Sequence, residues 1–143
     1  MIKYLIFNIL KKIKIFVYTS LFLLSSCNSS QKINTMLLNG YWKIDFVSQG
    51  NENFKLKGGT FLLDYYFINK NTGWRKKVRP LINNNFETSN DTTFFKIKNL
   101  ETKPILLFNT RWHNWEEMIV KLDTVSLILK IQDKTYHYQK FNP

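Results

Sequence analysis

Apolar and polar residues alternate with a period of two along most of the chain beyond residue 40. In GYWKIDFV, Trp42, Ile44 and Phe46 fall on one side and Tyr41, Lys43 and Asp45 on the other, the pattern of a half-buried strand. TFLLDYYFI sets Phe61, Leu63, Tyr65 and Phe67 in one row, and NKNTG then supplies turn residues for a hairpin into WRKKVRP. TTFFKIK, PILLF, EEMIVKL, VSLILKI and TYHYQKF continue the pattern, with Met118, Val120 and Leu122 in one row and Leu127, Leu129 and Ile131 in another. Asn, Asp, Gly or Pro fills almost every gap, and no stretch keeps helical spacing over three turns. The chain is therefore expected to be all-β, with seven to nine short strands forming a small antiparallel barrel or a sandwich of about eight.

The first residues follow a different rule. Lys3, Lys11, Lys12 and Lys14 precede an apolar run from Ile15 to Leu24, and no acid occurs before Cys27. A basic region followed by a short apolar region is the layout of a secretory signal peptide. A run of this length falls well short of the roughly 20 residues that a membrane-spanning helix requires. Residues 1–26 are thus expected to be a removable leader.

At its end stands Leu24-Ser25-Ser26-Cys27, which resembles the lipobox of bacterial lipoproteins. The resemblance implies that a diacylglycerol is attached to the thiol of Cys27, that the chain is cut just before it, and that the new amino group is acylated too. Two or three acyl chains, at about 0.8 kcal/mol per buried methylene, hold a domain on a membrane where one does not. Cys27 is the only cysteine, so disulfides and thiolate sites are excluded once it is lipidated. Asn28 is not the Asp that favours retention in the inner membrane of enteric bacteria, and no acid-rich stretch of the kind that marks surface export in Bacteroidetes follows Cys27. The expected location is the cell envelope, anchored in the outer membrane and facing the periplasm.

Charge changes the picture of partners. The chain carries a net +11, and because four of its basic residues and none of its acids lie in the leader, the remainder is still clearly basic. Nucleic acid is a common target for such a charge, but a lipidated envelope protein meets little of it, and none is expected as a partner here. Phospholipid headgroups, lipopolysaccharide and cell-wall polymers are the acidic partners at hand. An aromatic content of 16% with few glycines and prolines argues for a folded domain.

LLNGYWKIDFV contains Gly40 and Trp42 in a Gly-x-Trp at the head of the first predicted strand, which resembles the opening signature of lipocalin and calycin barrels. The resemblance implies that Trp42 closes one barrel end with a basic side chain of the last strand over its ring, a cation–π contact. Lys140 stands at that place, where the family usually has Arg. The whole arrangement is similar to the small lipocalin-like lipoproteins of Bacteroidetes. It divides the chain into a leader (1–26), a lipidated tether (27–36) and a β-domain (37–143). It also implies a ligand in the barrel mouth, with Trp42 and Phe46 as wall.

Two clusters carry candidate chemistry. In TRWHNWEE, His113 and Glu117 share a strand face and could offer two metal ligands, but a competent site needs a third and His137 is the only other histidine. No metal or other cofactor is expected. WRKKVRP concentrates Arg75, Lys76, Lys77 and Arg79 beside Trp74, a strip suited to an anionic surface or to edge protection of a solvated strand. No nucleophile elbow, phosphate loop or paired-histidine motif is present, so the protein is not expected to be an enzyme. The expected function is binding of a small apolar or amphipathic ligand in a lipid-anchored barrel. The alternative is an envelope interaction, inhibitor or immunity-type protein working through its basic and aromatic surface.

Overall fold

The computed structural model describes residues 32–55, 61–100 and 103–143. The leader, the lipobox and Cys27 lie outside the described residues. One compact unit spans Lys32–Pro143.

Ten strands follow in chain order: β1 (Gly40–Gln49), β2 (Glu52–Phe54), β3 (Leu63–Asn69), β4 (Thr72–Pro80), β5 (Phe86–Thr88), β6 (Thr93–Lys98), β7 (Ile105–Asn109), β8 (Asn114–Leu122), β9 (Ser126–Ile131) and β10 (Lys134–Phe141). Eight of them form a ring in the order β1, β3, β4, β6, β7, β8, β9, β10, every neighbouring pair antiparallel. β10 pairs along nearly all of β1 and closes the sheet on itself, so the fold is a closed barrel and not a sandwich. β2 and β5 are short additions, β2 beside the second half of β1 and β5 beside the end of β4. Closure leaves no free edge on the eight ring strands where they pair.

Alternation decides which side chains enter the barrel. Trp42, Tyr66, Ile68, Phe95, Ile97, Leu106, Phe108, Ile119, Leu122, Leu127, Leu129 and Tyr138 form one buried cluster. A short 3-10 turn, Thr35–Leu38, contributes Leu38 to it, and Ile33 and Leu37 pack against it. Of these, Ile33 was expected in the tether; it belongs to the domain because its apolar side chain packs with Leu37 against the core.

Three rows differ from the sequence reading. In β3 the inward row is Asp64, Tyr66 and Ile68, while Tyr65 and Phe67 face outward. In β8 it is Glu117 and Ile119 that face inward, and a bulge between Ile119 and Lys121 then brings Leu122 inside, leaving Met118 and Val120 out. In β1 a bulge between Ile44 and Phe46 shifts the register by one. Ile44 opposes the buried Tyr138, but Phe46 opposes His137, on the other face. An extra residue in one strand sends every later side chain to the opposite side.

Candidate functional site

At one barrel end Trp42 is fully buried, and its indole N–H donates to the Leu38 carbonyl at 2.8 Å. Lys140 Nζ lies 4.3 Å from the Trp42 ring centroid and donates to the carbonyls of Leu37, at 3.3 Å, and Asn39. Burial lowers the Lys140 pKa, since the charged ammonium loses water around it. Gly40 has φ +110°, and a Cβ there would stand 3.0 Å from Lys140 Nζ. Glycine is therefore required twice over, for its backbone and for the room the ammonium occupies.

The interior is occupied by the protein's own side chains. Trp42, Tyr66, Leu106, Ile119, Leu127 and Leu129 have 0% accessible surface, so no water-sized space touches them. Among these apolar groups lies a polar network. Arg75 Nη1 donates to Glu117 Oε1 at 3.0 Å, to Oε2 at 3.1 Å and to the Tyr66 hydroxyl at 3.0 Å. Trp115 Nε1 donates to Glu117 Oε1 at 2.9 Å, and the Trp115 ring stacks on Phe108. The Arg75 guanidinium is 4.7 Å from the Phe108 ring centroid. Burial disfavours the Arg75 charge, yet Tyr66 and Glu117 outweigh that and raise its pKa. Beside this network Lys77 Nζ caps both oxygens of Asp64, at 2.7 and 2.8 Å.

These positions correct the expected sites. Trp42 is sealed and Phe46 faces outward, its ring stacked on His137 at 4.0 Å between centroids, so the two do not form a ligand wall in the mouth. The basic strip is divided by alternation: Arg75 is inside with Glu117, Lys77 is held by Asp64 and Arg79 by Glu87. Of the four, Lys76 alone lies on the outer row, with its ammonium 5.9 Å from the Trp74 ring centroid. Glu117 is committed to Arg75, while His113 is exposed and stacks on Trp115. Among the described residues no three potential metal ligands come together.

What sequence reasoning missed lies on the outside. A groove of about 600 Å³ runs over β3, β4, β6 and β7. Its lining includes the outward side chains of Phe67, Trp74, Phe94 and Leu107, with Lys96 among them. Phe67 stacks on Trp74 at 5.6 Å between centroids, and Phe94 opposes Trp74 across the β4–β6 pair. Gly73 and Phe95 complete the floor: a Cβ on Gly73 would stand 2.6 Å from the Phe95 ring and 2.5 Å from the Phe67 carbonyl oxygen. Only glycine lets that ring lie against β4. The available signal was apolar residues on both parities of one strand, as in Phe94-Phe95 and Tyr65-Tyr66-Phe67, which a barrel with a bare polar exterior does not need.

No family model and no curated protein matches the chain. Among solved structures it is similar to a lipocalin-like protein from Bacteroides uniformis ATCC 8492, at 14% identity and a TM-score of 0.46, over 73% of this chain and 99% of that one. It is also similar to an uncharacterized protein from Bacteroides eggerthii DSM 20697, at 10% identity, the same TM-score and the same coverage.

Proposed function

We propose that this protein is a lipid-anchored, non-enzymatic envelope protein that binds a small apolar or amphipathic molecule in the groove on the outside of its barrel. The observation that carries the reading is the groove itself: about 600 Å³, walled by Phe67, Trp74, Phe94 and Leu107. That volume lies in the range of small-molecule sites, which are concave, mostly apolar and edged by a few polar groups. Asn69, Thr72 and Asn109 supply such an edge, and Lys96 offers a cation for an acidic head. The sealed interior favours this place over the mouth. Anchoring through Cys27 is supported by the leader and by Leu24-Ser25-Ser26-Cys27, and an outer-membrane location by Asn28 in place of Asp after the cysteine.

The test is titration of the folded unit, residues 32–143, with a fluorescent fatty acid. The expected result is saturable binding that Phe94→Ala weakens by about tenfold, as loss of one buried ring contact does. Phe94 is 64% exposed, so the substitution leaves the fold intact. Absence of saturable binding, or equal binding by Phe94→Ala, would overturn the reading.

A further inference from the structure

Beyond the groove, the outer surface of β1, β3 and β4 is paved with aromatic rings. Tyr41 stacks on Phe86 at 4.4 Å between centroids and packs on Tyr65 at 4.6 Å; Tyr65 packs on Trp74 at 5.4 Å. Lysines stand among them: Lys43 Nζ is 4.7 Å from the Phe61 ring centroid, Lys76 lies over Trp74, and Lys96 is at the groove. The outward positions of β3, β4, β6 and β7 carry no Asp or Glu at all. Among the described residues none of these three lysines forms an ion pair, in contrast to Lys77 and Arg79 on the same strand. Asp45 is the one acid on the outward row of β1, where Gln139 bonds it, so among the described residues these lysines lie unpaired on a face whose apolar part is too continuous to be chance exposure of single residues.

We infer that this face docks on the headgroup layer of an anionic phospholipid membrane. Tyrosine and tryptophan rings settle at the boundary between headgroups and acyl chains. Lysines beside them meet the negative surface potential. The two features on one surface fit a lipid interface: an acidic protein partner would satisfy the lysines, but the row of outward, half-buried rings, flanked by the exposed Phe61 and Phe67, calls for an apolar layer beneath the charge. The contact is distinct from a lipid anchor, because it fixes which side of the barrel lies on the membrane. It shares Trp74 and Lys96 with the groove and extends past it through Tyr41, Tyr65, Phe86, Lys43 and Lys76.

The experiment reconstitutes the full chain in vesicles whose acyl chains carry bromine, a quencher of tryptophan fluorescence. Vesicles of phosphatidylcholine are compared with vesicles that include phosphatidylglycerol. Quenching should be stronger in the anionic vesicles, and Trp74→Phe should remove the quenched component while Trp112→Phe leaves it. The double variant Lys43→Glu, Lys76→Glu should shift the docked–undocked balance by about thirtyfold toward undocked. Added salt should act in the same direction without any substitution. Equal quenching in neutral and anionic vesicles, or quenching lost with Trp112 instead of Trp74, would overturn the inference. So would a soluble anionic polysaccharide that changes Trp74 emission where vesicles do not. Fatty-acid binding in solution by this double variant, neither of whose lysines lines the groove, separates this test from that of the groove.

Discussion

Arg75 and Glu117, 42 residues apart in the chain and on strands separated by two others, meet inside the barrel with Nη1 3.0 Å from Oε1. The pair crosses the interior and joins the two sides of the sheet. Tyr66 and Trp115 complete its hydrogen bonds, so the buried carboxylate is partnered by a guanidinium and an indole N–H.

Removing one partner should therefore cost much more than removing both. Glu117→Leu or Arg75→Met alone leaves a buried charge uncompensated and should destabilise by about 3–5 kcal/mol, whereas the double variant should recover most of that loss. Urea denaturation of the four proteins of this cycle checks it. Additive losses would mean the two charges are not coupled.

Trp42→Ala should destabilise by about 3–5 kcal/mol, as large-to-small aromatic changes in a core do. Lys140→Met keeps the alkyl stem but loses the ammonium over the ring, and should cost about 1–2 kcal/mol. Thermal unfolding of both variants measures the difference. Gly40→Ala should fall in the same direction, since φ +110° is strained for alanine and the added carbon meets Lys140.

Most strands were legible because alternation needs only a sheet with one wet face. All eight ring strands fall on stretches that read as strands, from GYWKIDFV to TYHYQKF. The faces were less legible. A bulge such as that at Asp45 has no mark in the sequence, and it alone moves Phe46 from the row of Trp42 to that of His137. In EEMIVKL the inward row begins with Glu117, whose buried charge disguises it as an outward position; its partner Arg75 sits in a run of cations that reads as surface. Phe67 and Phe94 look like core residues and line the outer groove instead. Short β2 and β5 carry too few residues to show a period.

Alkaline pH should unfold the protein through Tyr66 and Tyr138. Burial raises both pKa values above the ordinary tyrosine value; for Tyr66 the Arg75 charge opposes this, and for Tyr138 the neighbouring Tyr66 and Asp64 reinforce it. The folded state holds protons that the unfolded chain releases near pH 10, so stability is intact below about pH 10 and falls as pH rises above it. Lys140, with its pKa lowered by burial, contributes in the opposite direction. Tyr138→Phe isolates the tyrosine effect: its stability should decline less steeply above pH 10 than that of the parent. Parallel curves would contradict the assignment.

If Cys27 carries the proposed lipid anchor, Cys27→Ser should abolish incorporation of labelled palmitate and leave residues 1–26 uncut, because a serine hydroxyl would not replace the thiol as acceptor of the diacylglycerol. Losing two acyl chains at about 0.8 kcal/mol per methylene removes more membrane affinity than surface lysines supply at about 1 kcal/mol each. Metabolic labelling and fractionation of cells measure both. A Cys27→Ser protein that is processed and fractionates like the parent would contradict the anchor.

The placement of the ligand outside a sealed barrel is tested most directly by the indole N–H signals of the four tryptophans in an NMR titration of residues 32–143 with a soluble fatty acid. Trp74 lines the groove, whereas Trp42 is buried at the barrel end and Trp115 bonds Glu117 inside. The account predicts that the Trp74 signal shifts saturably while those of Trp42 and Trp115 stay in place. A saturable shift of Trp42 or Trp115 with Trp74 unmoved would put the ligand inside the barrel and contradict it.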